Sequence, residues 1–115
     1  MMDIKAISDS IMHSYITDTP SLEGMLYVKG KTAIVTGGTS GLGFCTAQRL
    51  LQGGAKVVIS GSTKEKGEAA VALLNEAGYT DVTFKRADLR SEEEVKDMVE
   101  FTAKTYGSVD ILVTS

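Results

Sequence analysis

From Lys31 onward, short apolar runs alternate with longer amphipathic stretches. "KTAIVTGG" (31–38), "AKVVISG" (55–61), "DVTFKRAD" (81–88) and "VDILVTS" (109–115) are brief and partly β-branched, and read as strands. The second is almost continuously apolar, as expected of a strand covered on both faces. Between them, "GLGFCTAQRLLQGG" (41–54) spaces Leu42, Cys45, Leu50 and Leu51 for a helix that Gly53 and Gly54 stop. "STKEKGEAAVALLNEAG" (62–78) sets Ala70, Leu73, Leu74 and Ala77 on one helical stripe. "SEEEVKDMVEFTAKTYG" (91–107) does the same with Val95, Met98 and Val99. Each of these two opens on a Ser-x-x-Glu capping box, Ser62 with Glu65 and Ser91 with Glu94, and closes on a glycine, Gly78 or Gly107. The order β-α-β-α-β-α-β predicts an α/β fold: a parallel sheet with right-handed crossovers and helices on its faces.

Residues 1–24 are different in character. Ile4, Ile7, Ile11 and Tyr15 fall on one helical face, and Pro20 and Gly24 then break the pattern. A short amphipathic helix in a surface arm is expected there, docked on its own domain or on a neighbouring subunit. Its polar face is not basic, which argues against a membrane-surface helix. Residues 25–115 form the α/β domain. At 115 residues, 43% hydrophobic and 23% charged, the chain suits one globular domain. The net charge of −3 comes with scattered Lys and Arg and no basic stripe, so nucleic acid is not an expected partner. No apolar run is long enough for a signal peptide or a membrane span, which points to the cytoplasm and to no membrane partner. The single cysteine, Cys45, has no partner for a disulfide within the chain.

The chemistry concentrates at the first strand-to-helix turn, "TGGTSGLG", Thr36 to Gly43. A dinucleotide pyrophosphate needs backbone amides aimed at it and a positive helix end behind them. Glycines serve that geometry by allowing a sharp turn off the strand, close approach of the phosphate, and tight packing of the helix start. Gly37, Gly41 and Gly43 suit those tasks, while Thr39 and Ser40 offer hydroxyls as well as amides. The spacing is G-x-x-x-G-x-G, so it satisfies the mechanism of the tighter G-x-G-x-x-G fingerprint without matching its letters.

"TGGTSGLG" after "KGKTAIV" resembles the T-G-x-x-x-G-x-G cofactor loop of the short-chain dehydrogenase/reductase family. "GGAKVVISG" resembles that family's second strand, "ADL" at 87–89 its Asp-containing stretch after the third, and "VDILVTS" its fourth. The resemblance covers residues 25–115 and implies the first half of a Rossmann-type doubly wound sheet and an NAD(P)-dependent oxidoreductase. It further implies that Gly37, Gly41 and Gly43 line the pyrophosphate, and that Ser40 and the Leu42 backbone contact phosphate or ribose. Asp88 would accept from the adenine amino group, with the Leu89 backbone beside it. Thr114 and Ser115 stand where the family carries two asparagines.

An acidic residue at the end of the second strand would hold the ribose 2′-hydroxyl of NAD and repel the extra phosphate of NADP. Gly61 and Ser62 occupy that end. The basic residues that NADP-binding members place before the second glycine or after the second strand are absent too, because Ser40 and Ser62 stand there. Ser62, Thr63 and Lys64 together could hold a 2′-phosphate, so the balance leans to NADP over NAD.

Catalysis is not found in these residues. The family uses a Ser, a Tyr-x-x-x-Lys pair and an Asn downstream of the fourth strand, the lysine lowering the tyrosine's pKa. The Tyr-x-x-x-Lys at Tyr27 to Lys31 is a decoy, since it precedes the first strand and enters the sheet at the wrong end. Tyr79 and Tyr106 have no lysine at that spacing, His13 has no partner cluster, and Cys45 reads as a small buried helix residue. No metal-ligand spacing is present. The sequence therefore reads as the front part of a longer enzyme that acts on a small-molecule substrate as a homo-oligomer. The competing reading is a short nucleotide-binding or partner-binding protein without turnover.

Overall fold

A computed structural model describes residues 28–114; the expected arm over 1–24, Tyr27 and Ser115 lie outside the described residues. Seven elements follow in the expected order: β1 (Thr32–Thr36), α1 (Gly41–Gln52), β2 (Lys56–Gly61), α2 (Lys64–Glu76), β3 (Val82–Arg86), α3 (Glu92–Tyr106) and β4 (Ile111–Val113). The strands pair in parallel in the order β3-β2-β1-β4.

The chain steps from β1 to β2 to β3 in one direction and then crosses back to the far side of β1. Helices therefore cover both faces of the sheet. Ala33, Val35, Val57 and Ile59 pack beneath α1 and α2, against Ala47, Leu50, Ala70 and Leu74. Ile34 and Val58, one residue out of phase, meet Met98 of α3. That two-sided burial is why β1 is buried at every position and has no polar alternation. The reversal of direction falls between β1 and β4, and the carboxyl ends of the strands beside it are where open α/β sheets bind ligands. At the amino ends of the same two strands Asp110 ties β4 to β1: its carboxylate accepts the Thr32 N–H at 2.9 Å, and its own N–H donates to the Thr32 carbonyl at 2.9 Å.

Several local expectations need correction. The Ser62–Glu65 capping box does not form. α2 starts one residue later with Thr63 as its N-cap and no side-chain cap bond. Ser62 lies outside the helix, and its carbonyl accepts from Arg86 Nε at 3.2 Å. The second box forms by half. Ser91 Oγ accepts the Glu94 N–H at 3.3 Å, but the Glu94 carboxylate turns to Arg86 Nη1 at 2.6 Å and to the Asp88 N–H at 3.3 Å. A guanidinium within reach is the stronger partner for a carboxylate than a backbone amide.

Cys45 is exposed, not buried. The buried side of α1 is Gly43, Thr46, Ala47, Leu50 and Leu51, small at its start and leucine at its end, and it leaves Cys45 facing outward. Leu73 and Leu112 are also exposed, at 57% and 58%. Leu112 pairs in register with Ile34 and so shares its side of the sheet, where α3 lies over β2 and β3.

Candidate functional site

The turn from β1 into α1 is built around glycine for two distinct physical reasons. Gly41 adopts φ +59, a backbone region that side-chain-bearing residues rarely occupy, yet nothing stands within 4 Å of where its Cβ would be. Conformation, not space, requires the glycine. Gly43 is the opposite case: its missing Cβ would fall on the Gly37 carbonyl, so the first turn of α1 rests directly on the end of β1. Gly37, also at positive φ, turns the chain off the strand and donates its N–H to the Ser60 carbonyl at 2.8 Å.

The helix that starts here is electrostatically open. Its N-cap, Ser40, makes no side-chain cap bond, and its first turn has no acidic residue. Ser40, Gly41 and Leu42 are exposed. The positive end of the α1 dipole and its unpaired amides therefore face outward, the arrangement that favours an anion.

Beside it, the carboxyl ends of β1, β2 and β3 enclose a cleft of about 360 Å³, lined by Thr36, Gly37, Ser60, Gly61, Ser62, Ala87, Asp88, Leu89 and Arg90. Ser60 Oγ at its wall is buried and has no hydrogen-bond partner, a costly state for a hydroxyl unless a ligand or water supplies one. Asp88 is held by Arg90: Oδ1 accepts the Arg90 N–H at 2.9 Å and Nε at 3.1 Å, and Oδ2 accepts Nη2 at 2.9 Å. The Arg90 side chain, then its backbone amide, pulls the Asp88 carboxyl down to about 2. Three accepted bonds leave a carboxylate room for a fourth, so Asp88 remains a charged acceptor toward the cleft.

Gly37, Ser62, Asp88 and Leu89 thus meet at one cleft, with Thr39 packed near Gly61 at its rim. Ser40, Gly41, Leu42 and Gly43 form the adjoining helix start. Thr63 caps α2 next to Ser62. Lys31 precedes β1 and so lies at the end of the strand away from the cleft. Four residues escaped the sequence reading. A Cβ on Gly38 would lie 2.6 Å from Ile59 Cγ2, a constraint signalled by the Gly37–Gly38 doublet. Ser60, a polar residue ending an apolar strand, was visible too. Arg86 and Arg90 bracket Asp88: Arg90 lines the cleft, and Arg86 stands outside its lining, tied to the Ser62 carbonyl. No group of metal-ligating side chains occurs among the described residues, and no described helix is long and apolar enough to cross a membrane.

The missing Cβ of Gly43, the unpartnered Ser60 hydroxyl and the Asp88 acceptor fit a nucleotide cofactor in outline. Comparisons with known proteins agree. An uncharacterized oxidoreductase of Thermotoga maritima is 43% identical over 88 residues, covering 76% of this chain and 34% of that protein. The solved structure of a citronellol catabolism dehydrogenase from Pseudomonas aeruginosa superposes with a TM-score of 0.69 at 40% identity, over 73% of this chain and 35% of the other. A hydroxysteroid dehydrogenase from Escherichia coli gives a TM-score of 0.72 at 32% identity, over 76% of this chain and 36% of the other. The chain thus spans about a third of the length of the relatives it matches. The family description "short chain dehydrogenase" matches residues 31–115, and the chain belongs to that family.

Proposed function

We propose that the chain is the N-terminal, cofactor-binding part of an NAD(P)-dependent oxidoreductase that moves hydride between a nicotinamide and an alcohol or carbonyl substrate. The observation that carries this reading is the bare start of α1. An uncapped, acid-free helix end rests on the carboxyl end of β1 through a Cβ-free contact between Gly43 and Gly37. Gly37, Gly41 and Gly43 would admit the pyrophosphate to the α1 amides, with Thr39, Ser40 and the Leu42 backbone around it. Asp88 and Leu89 would receive the adenine, and Ser62 and Thr63 the adenosine ribose. When bound, the nicotinamide supplies or accepts the hydride. This chain's residues would hold the dinucleotide and keep water from its buried side.

The catalytic Ser and the Tyr-x-x-x-Lys pair would come from sequence following β4 in the whole protein, which also sets the small-molecule substrate. A homo-oligomer is the expected assembly. NADP is favoured over NAD because no carboxylate stands at Gly61 or Ser62 to repel a 2′-phosphate. Fluorescence titration with NADPH and NADH tests the site. Gly41→Asp, which puts a carboxylate at the helix start, is expected to weaken both by about a hundredfold or more. Undiminished binding to that variant would show that the phosphate site lies elsewhere.

A further inference from the structure

We infer that Arg86, at the end of β3, is the specificity residue that selects a 2′-phosphorylated dinucleotide at this site. The inference rests on the proposed cofactor reading and assigns it a cation that sequence position alone does not show. The end of β2 is where a nicotinamide dinucleotide's adenosine ribose is judged, and Gly61 and Ser62 there carry no charge. A parallel sheet has neighbours as well as a chain order. Gly61 pairs in register with Arg86 on β3, so the residue lateral to the judging position is a guanidinium.

Arg86 is fixed there. Nε donates to the Ser62 carbonyl at 3.2 Å, anchoring the side chain to the β2–α2 loop itself. Nη1 donates to Glu94 at 2.6 Å, which holds the other end against the first turn of α3. Those two bonds use part of a rigid fork of five N–H donors, and the remaining donors suit a phosphate oxygen. The Arg86 side chain is half exposed, so a ligand can reach it.

The surroundings are suited to the same ligand. The hydroxyl of Thr63 makes no cap bond at the start of α2. The cleft contains Ser62 and the buried, unpartnered Ser60 hydroxyl. Glu94 is the carboxylate hydrogen-bonded to Arg86, and the Asp88 carboxylate also attracts the guanidinium through space. Glu94 is turned toward Arg86 and the Asp88 amide and takes Nη1, so with Nε on the Ser62 carbonyl the Nη2 donors are left to a phosphate. A 2′-hydroxyl needs no such cation. A 2′-phosphate at this position does.

The test titrates the intact protein with NADPH and NADH, with adenosine 2′,5′-bisphosphate as competitor. The wild type is expected to prefer NADPH by at least tenfold. Arg86→Gln should weaken NADPH by about ten- to a hundredfold, the usual scale of a charge-assisted hydrogen bond, and leave NADH within about twofold. The bisphosphate should lose its hold on that variant to the same extent. Glu94→Gln, which removes the competing carboxylate, should raise the NADPH-to-NADH ratio severalfold and serves if Arg86→Gln fails to fold. A wild-type preference for NADH overturns the inference. So does an equal loss of both dinucleotides in Arg86→Gln, or an unchanged ratio in both variants. If the wild type binds neither dinucleotide, the cofactor reading itself fails and takes this inference with it.

Discussion

The starts of α1 and α3 lie at the same end of the sheet and are finished in opposite ways. At α3, Ser91 caps the Glu94 amide, and Glu92, Glu93 and Glu94 place three carboxylates in the first turn. The helix satisfies its own dipole from its own sequence. At α1 the N-cap Ser40 bonds nothing with its side chain and the first turn is free of acid. An end left uncapped and free of acid is one that an anion can occupy. On the proposed reading, the difference is that between a structural helix start and a binding one, and substitutions at the two ends can blur or sharpen it.

The largest effect should come from Gly43→Ala. The added methyl meets the Gly37 backbone, which has no flexible side-chain end to move aside. Lifting α1 from β1 should cost about 3 kcal/mol, at the upper end of ordinary overpacking, and should abolish dinucleotide binding. Chemical denaturation with parallel NADPH titration reads both. Retained stability would mean that the α1–β1 contact is looser than the geometry indicates.

Next in size is Ser40→Asp, which gives α1 the finish that α3 already has. Aspartate is a good N-cap and its charge suits the dipole, so stability should rise by about 0.5–1 kcal/mol. Binding of both dinucleotides should fall by about a hundredfold, because the anion site now holds its own anion. Opposite signs for stability and binding are the signature to look for. A loss of both would make Ser40 structural.

The converse change, Ser91→Ala, should cost about 1 kcal/mol of stability through the lost cap. It should leave NADPH and NADH affinity within about twofold. A large effect on binding would mean that the α3 start also holds the cofactor directly.

The same contrast explains what was legible in the sequence. β1 and β2 could be read because burial on both faces leaves an apolar run that needs no partner to interpret. The glycine loop could be read because its constraints are local: Gly37, Gly41 and Gly43 act within a few residues of one another. What failed was lateral. Leu73 and Cys45 fit their helical stripes yet face solvent, since the width of a buried stripe depends on how closely the helix approaches the sheet. Glu94 fits a capping box, but Arg86 arrives from β3 and takes its carboxylate. Arg86 is likewise invisible beside Gly61 until the β2–β3 register is known. Gly67 of α2 is explained only by the fold, because Phe84 of β3 packs where its Cβ would be.

The smallest predicted effect concerns the acid limb and rests on Asp88, just before the capped start of α3. Arg90 holds the Asp88 carboxyl at about 2, first through its side chain and then through its amide. An unfolded aspartate titrates near 4. A carboxyl depressed in the folded state stabilises that state above the unfolded value, and the contribution is lost as pH falls through the folded one. The stabilisation from this pair is therefore complete above about pH 4 and gone below about pH 2. Its size is small because the pair is open to water. The direct readout is the Asp88 carboxyl carbon followed by NMR between pH 6 and 2. It should titrate near 2 in the wild type and move up toward the ordinary aspartate range in Arg90→Ala. If Asp88 titrates at its ordinary value in the wild type, Arg90 does not hold it in solution. The cleft would then present an acceptor that is free to turn.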